Sequence, residues 1–182
     1  MQLEVFEQYK DDSVLYISGI SHDNAANGPG IRTVLFTQGC YHRCKGCHNT
    51  NTWSPAAGEK LTVEEVVRKL TDTSHFNKLT LSGGEPVLQY KALTKLLYTI
   101  NPIKPVWMWT GYTDEELLKL CKLLPDMPEF LSKISHIVTG RFEIDKKDSL
   151  LHWRGSSNQK ICKVVKGDDI TLEDVSVEFD QK

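Results

Sequence analysis

Residues 78–86 read KLTLSGGEP, a short run of strand-forming residues that stops at two glycines and a proline. In the next segment, apolar residues recur with the period of an amphipathic helix, at Leu93, Leu96, Leu97 and Ile100. Strand, glycine turn and helix thus form one unit. We interpret this unit as the one that decides the fold, because the same order recurs on both sides of it.

Further segments of the chain also read as strands. They lie at residues 14–17, 32–37, 106–109, 136–139 and 161–165. Strands that alternate with helices predict a parallel sheet with helices on the outside. Four or five such units are too few for the roughly 250 residues of a closed eightfold barrel. We therefore expect an α/β fold, a partial and open βα barrel with about four to five mostly parallel strands.

Length and composition predict one domain over residues 1–182, with 40% apolar and 25% charged residues. Residues 1–26 form an N-terminal extension and strand, residues 27–165 the core, and residues 166–182 an acidic tail. In this tail Val175, Val177 and Phe179 alternate as in an edge strand, so we expect a marginal strand or a frayed terminus.

Charge and apolar patterning indicate where the protein acts. The 22 basic and 24 acidic residues give a net charge of −2, which argues against binding to nucleic acid or an anionic membrane. The first residues lack the features of a secretory signal, and no apolar run approaches the roughly 20 residues that span a bilayer. We therefore expect a cytoplasmic protein with no membrane contact.

Three of the five cysteines lie close together in residues 40–49, which read CYHRCKGCHN. In a reducing compartment such a group indicates metal or redox chemistry rather than disulfides. Cys40, Cys44 and Cys47 offer three thiolates and no fourth. An iron–sulfur cluster bound here would keep one iron without a protein thiolate.

A structural zinc site is the alternative reading of this loop, with His42 or His48 as the fourth ligand. Zinc ribbons usually supply two separated pairs of ligands, and the chain has no second pair. Cys121 lies on a predicted helix face and Cys162 stands alone. We therefore favour an iron–sulfur cluster.

The loops that carry chemistry all follow predicted strands. The cysteine loop follows residues 32–37, Gly83 and Gly84 follow residues 78–81, and Gly111 follows residues 106–109. Because the carboxyl ends of parallel strands meet at one edge of a sheet, we expect these loops to line a single site. Taken alone, the two glycines are more often a simple strand-to-helix turn.

The chain resembles the radical S-adenosylmethionine (SAM) superfamily. The three cysteines match its cluster motif, and residues 82–86 (SGGEP) resemble its GGEP motif. Residues 27–32 (NGPGIR) and 47–49 (CHN) look like the activases of glycyl radical enzymes. Residues 107–112 (WMWTGY) and 153–159 (WRGSSNQ) are similar to the branch that acts on anaerobic ribonucleoside-triphosphate reductases, and the resemblance runs from about residue 27 to 161.

This resemblance implies a 4Fe-4S cluster on Cys40, Cys44 and Cys47, with SAM on the fourth iron. Reductive cleavage of SAM to methionine and a 5′-deoxyadenosyl radical would then form a glycyl radical on the reductase, with no catalytic residue beyond cluster and SAM. The residues that match the cofactor-binding positions are Gly46, Cys47, His48, Gly83, Gly84 and Glu85.

Several site assignments stay open at this stage. Glu85 either contacts the cofactor or caps the following helix. Trp109 and Tyr112 either stack on adenine or pack in the core. Arg154 and Asn158 either dock the partner or bind SAM.

The partners are also only partly defined by the sequence. Positive charge in the cysteine loop favours an anionic reductant such as flavodoxin. Relatives often carry Asp-Gly where this chain has Thr139 and Gly140, so a carboxylate contact to the ligand is absent at that position. An activase of another glycyl radical enzyme, of the pyruvate formate-lyase type, and a zinc-stabilised binding module remain as alternatives.

Overall fold

The chain folds around a single mixed sheet of eight strands with helices packed against it. The computed structural model describes residues 3–73, 76, 78–100 and 105–180. The strands are β1 Val14–Asn24, β2 Arg32–Thr37, β3 Glu59–Thr62, β4 Leu79–Gly83, β5 Trp107–Trp109, β6 His136–Thr139, β7 Lys160–Lys166 and β8 Ile170–Asp174. The helices are α1 Glu4–Glu7, α2 Val63–Thr71, α3 Tyr90–Ile100, α4 Asp114–Leu123, α5 Met127–Ser132 and α6 Ser176–Asp180.

Strand order separates a parallel centre from antiparallel flanks. The order is β3-β1-β2-β4-β5-β6-β7-β8. The four central strands β2, β4, β5 and β6 pair in parallel, whereas β1 and β3 on one side and β7 and β8 on the other pair antiparallel. The sheet thus has more strands than the four to five expected. Strand order does not determine how far a sheet curves, so the partial barrel stays a prediction.

Two of the helices, α2 and α4, begin where side chains satisfy free backbone groups. Thr62 and Glu65 form a capping box at the start of α2, and Thr113 and Glu116 form a second one at the start of α4. Each box satisfies two of the backbone N–H groups that the first turn of a helix leaves free. Helix starts were therefore readable from local sequence alone.

The two faces of the sheet carry different cores. Met108 on β5 and Ile137 on β6 belong to the large aliphatic core. Trp107, Val138 and Ile161 point to the opposite face and form a smaller cluster with Val175. This follows from the alternation of side chains along each strand.

The acidic tail differs from its prediction. The edge strand lies earlier, at Ile170–Asp174, and the residues that alternate between apolar and polar form the helix α6. The strand prediction for Val175 to Phe179 is therefore wrong. The carboxylate of Asp174 accepts hydrogen bonds from the amide and hydroxyl of Ser176 at 2.9 and 2.6 Å. This local bonding competes with strand pairing and starts the turn.

Two further observations concern the length of β1 and the character of the helices. β1 runs to Asn24, seven residues beyond the predicted strand at residues 14–17. Within the described part of the chain, no helix has the length and apolar character needed to cross a membrane.

Candidate metal centre

The three clustered cysteines lie on the loop that directly follows β2. Cys40 is buried, Cys44 and Cys47 are half-buried, and all three are free thiols. Gly39 and Gly46 have φ angles of +98° and +79°, which glycine adopts without steric cost. The left-handed positions bend the loop so that its thiols share one cavity.

Backbone amides face the three thiols. The amides of His42 and Arg43 act to lower the pKa of Cys40, and the amide of Phe142 acts to lower that of Cys44. The amide of Asn49 donates to the Cys47 sulfur at 3.4 Å. N–H donors of this kind stabilise thiolates and tune the clusters that thiolates bind.

The pKa values of two thiols show what holds the site in its metal-free form. Burial raises the pKa of Cys40 to about 12, and the nearby Glu85 carboxylate adds to the rise. Burial also raises the pKa of Cys44, with a contribution from Cys47. Without a cation, the thiols of Cys40 and Cys44 are thus held protonated, and bound iron would replace those two protons.

The shared cavity has a volume of about 210 Å³ and opens between the carboxyl ends of the central strands. Its lining residues come from four separate loops, and they are Cys40, His42, Cys44, Cys47, His48, Asn49, Ser82, Gly83, Gly84, Trp109, Thr110, Gly111, Gly140, Phe142, Gly155 and Gln159. The predicted convergence of the cysteine loop, the double glycine and Gly111 is therefore present. The donor set, three thiols each with a backbone donor, fits a cluster with three cysteine ligands.

The double glycine is required by the backbone around it. A Cβ on Gly84 would lie 2.9 Å from the carbonyl carbon of Gly39, and one on Gly83 would lie 2.7 Å from that of Phe36. Gly84 donates a hydrogen bond to the carbonyl of Thr37 at 2.8 Å. This close packing explains both glycines without any ligand, and it brings a backbone surface to the cavity wall.

Two predicted cofactor contacts lie outside the cavity lining. Gly46 packs beneath Ile144, where a Cβ would approach its Cδ1 to 3.0 Å. Glu85 lines a neighbouring cavity of about 400 Å³ instead. Its carboxylate accepts from the amide of Val87 at 3.0 Å, so Glu85 caps the helical turn that begins at Pro86.

Histidines of the loop are placed unfavourably for a zinc site. Nε2 of His42 lies 2.7 Å from the Glu85 carboxylate, and the ring of His48 lies 5.8 Å from the ring of Phe142. In residues 3–73, 76, 78–100 and 105–180, no three His, Cys, Asp or Glu side chains are arranged to hold one metal ion. A cluster differs, because each cysteine binds a separate iron.

One wall of the cavity comes from the segment 153–159, and Gln159 organises it. Its side-chain oxygen accepts from the amides of Gly155 and Ser156 at 2.8 and 3.2 Å, and its nitrogen donates to the carbonyl of Gly140 at 2.9 Å. Sequence reasoning noticed this motif but did not assign Gln159. Its only signal was its place in the motif.

The residues left open by the sequence now have defined positions. Trp109 lines the cavity and donates its indole N–H to the carbonyl of Trp153 at 2.9 Å. Arg154 forms an ion pair with Asp180 of α6. Asn158 donates to the carbonyl of Arg141 at 2.8 Å.

Two more of these residues face away from the cavity. The ring of Tyr112 packs edge-on against His42 at 4.8 Å. Thr139 is buried with its hydroxyl 3.7 Å from the Cys162 sulfur. Thr139, the position at which relatives often carry Asp, therefore points toward Cys162 on the neighbouring strand. Gly140, and not Thr139, lines the cavity.

Comparison with known proteins identifies the class to which this site belongs. Residues 26–162 match the family described as 4Fe-4S single cluster domain, which covers more than half of the chain. The chain is therefore a single-cluster iron–sulfur protein by family.

Similar proteins define the family more closely. A protein of Vibrio cholerae is 38% identical over 147 residues, which cover 76% of this chain and 91% of that protein. A protein of Pasteurella multocida is 40% identical over 148 residues (75% and 90%), and one of Enterobacteria phage T4 is 36% identical over 143 residues (74% and 85%). The chain belongs to the family of anaerobic ribonucleoside-triphosphate reductase-activating proteins, the name that all three carry. The predicted family is confirmed.

Proposed function

We propose that this protein activates an anaerobic ribonucleoside-triphosphate reductase by forming a glycyl radical on it, with a 4Fe-4S cluster and SAM as cofactors. The observation that carries the proposal is the meeting of three free thiols and two glycine turns in one cavity at the carboxyl ends of the central strands. Relatives named as activating proteins of this reductase support the choice of partner. The protein would act in the cytoplasm, as a radical SAM oxidoreductase.

The cluster would be held by Cys40, Cys44 and Cys47. When bound and reduced, it supplies one electron to SAM, whose cleavage yields methionine and the 5′-deoxyadenosyl radical that takes a hydrogen atom from glycine. Backbone donors to the sulfurs keep the thiolates in place. All three ligands come from one loop, which the contact between His42 and Glu85 ties to the end of β4.

The rest of the cavity would orient SAM and exclude water. Gly83 and Gly84 present backbone at the wall, where a ligand can approach without meeting a side chain. Trp109 and Phe142 give the same wall apolar surface. Exclusion of water by the bound ligand would protect a reactive intermediate from side reactions.

Exposed charge on the cysteine loop supports an anionic reductant such as flavodoxin. The side chains of Arg43 and Lys45 are exposed around the thiols. A cationic surface at the point of electron entry steers acidic partners and speeds their association. Raising the ionic strength should therefore slow reduction by flavodoxin and leave reduction by a small neutral reagent unaffected.

The test is electron paramagnetic resonance of the anaerobically reconstituted protein. We expect a signal from the reduced cluster, a change in that signal on adding SAM, and a glycyl signal after adding the purified reductase. A glycyl signal in a formate-lyase-type enzyme and none in the reductase would support the alternative activase. Bound zinc with no visible absorbance would support the binding module and refute the proposal.

A further inference from the structure

Glu85 is the most completely bonded carboxylate near the cysteine loop. The residue is 1% exposed. One oxygen accepts from the hydroxyl of Thr110 at 2.8 Å and from the amide of Val87 at 3.0 Å. The other lies 2.8 Å from the amide of Gly111 and 2.7 Å from Nε2 of His42. A carboxylate offers about four acceptor sites, and all of them are used here.

This pattern leaves Glu85 no free acceptor for a ligand. Three of its four partners are unambiguous donors, which an ionised carboxylate satisfies best. The fourth, Nε2 of His42, then carries its hydrogen and donates as well. Glu85 also lies outside the lining of the cysteine cavity. The role of Glu85 therefore lies in its contact with His42.

His42 connects this carboxylate to the thiols. Its ring packs against Gly111, where a Cβ would lie 2.7 Å from Nε2, and edge-on against Tyr112 at 4.8 Å. In the chain it stands between Cys40 and Cys44, and its amide bonds to the Cys40 sulfur. Because Glu85, Gly111 and Tyr112 hold the His42 ring, they also restrict the backbone of His42 between Cys40 and Cys44.

We propose that Glu85 is a positioning residue that anchors the cysteine loop through His42, and that its buried negative charge helps to keep the reduction potential of the bound cluster low. The inference rests on the cluster of the proposed function and not on SAM. A negative charge close to a cluster opposes the addition of an electron. Two unit charges roughly 10 Å apart at an effective dielectric constant of about 20 change an equilibrium by about tenfold.

The experiment compares the parent with Glu85→Gln, which keeps the shape and removes the charge. Iron and sulfide content, the reduction potential of the cluster and the affinity for SAM are measured on the reconstituted proteins. We expect the reduced fraction at a fixed potential to rise about tenfold, equivalent to about 59 mV for a one-electron couple. SAM affinity should be retained. Amide hydrogen exchange over residues 41–45 should become faster in the metal-free variant.

Matched controls separate this role from capping and from SAM binding. Glu65→Gln removes a carboxylate that also caps a helix, on α2 and away from the cysteine cavity, and should leave potential and loop exchange unchanged. Weaker SAM binding by Glu85→Gln with an unshifted potential would overturn the proposal. If the parent holds the cluster but does not bind SAM, the proposed function fails, while the two potentials still decide the role of Glu85.

A second variant covers the case in which Glu85→Gln does not fold. His42→Gln cuts the same tie from the loop side and leaves the cap at Val87 intact. Faster exchange over residues 41–45 and poorer retention of iron in a folded His42→Gln protein would support the proposal. Parent-like exchange, iron retention and potential in this variant would refute it.

Discussion

Replacing Gly84 by alanine tests why the double glycine is there. The new Cβ would meet the backbone of Gly39, with its carbonyl carbon at 2.9 Å and its amide nitrogen at 3.1 Å. Two backbone hydrogen bonds hold this contact, from Gly84 to Thr37 and from Glu85 to Gly39, both at 2.8 Å. Relief of the overlap therefore has to lengthen at least one of them.

The magnitude follows from these two effects. Overpacking costs about 1 to 3 kcal/mol, and each weakened hydrogen bond about 1 kcal/mol. We expect Gly84→Ala to lower the free energy of unfolding by about 2 to 5 kcal/mol, a large part of the 5 to 15 kcal/mol typical of a domain. With a slope of about 2 kcal/mol per molar urea, the midpoint falls by about 1 M or more.

The assay is urea unfolding of the metal-free protein, so that neither cluster nor SAM contributes. Gly167→Ala is the matched control, since its Cβ would meet nothing nearer than 3.7 Å. Its free energy of unfolding should stay within about 0.5 kcal/mol of that of the parent, as for other surface substitutions. A Gly84→Ala protein that unfolds like the parent but binds SAM poorly would refute the packing argument. The glycine would then serve ligand approach alone.

Three further predictions concern the cysteines and the tail. Cys44→Ala should abolish cluster assembly, measured as iron per chain, whereas Cys121→Ala should spare it, because Cys44 lines the cavity and Cys121 does not. Burial raises the pKa of the Cys162 thiol to about 11, so the folded state favours the neutral thiol. The stability that this preference contributes is present below about pH 8.5 and is lost as the pH rises toward 11. Cys162→Ala should therefore make the free energy of unfolding less dependent on pH in that window. Phe179→Ala removes a ring 5.3 Å from that of Trp153 and should cost about 1 to 2 kcal/mol, with faster amide exchange over residues 153–159.

Local patterns were enough for much of the fold. The helix start at Thr62 and the turn at Gly111 depend on residues a few positions apart, so the sequence predicts them directly. Segments 14–17 and 161–165 were predicted as strands and lie within β1 and β7, but their antiparallel pairing was not predicted, because partner choice depends on residues far along the chain. The tail was misjudged because the alternation of Val175, Val177 and Phe179 was weighed above the local bond from Ser176 to Asp174, and the packing of Phe179 against a tryptophan cluster has no local signature.

The metal site divides in the same way. By itself, the sequence determines which atoms are available: the thiols of Cys40, Cys44 and Cys47 lie on one short loop, and ligand type and spacing are local properties. Tertiary structure alone decides what surrounds them. The clamp from Glu85 to His42 joins residues 43 positions apart, and Gln159 reaches the cavity from the position directly before β7, beside the end of β6. Such contacts exist only after parallel strands bring their carboxyl ends together, because hydrogen bonds and burial depend on distances in space and not along the chain.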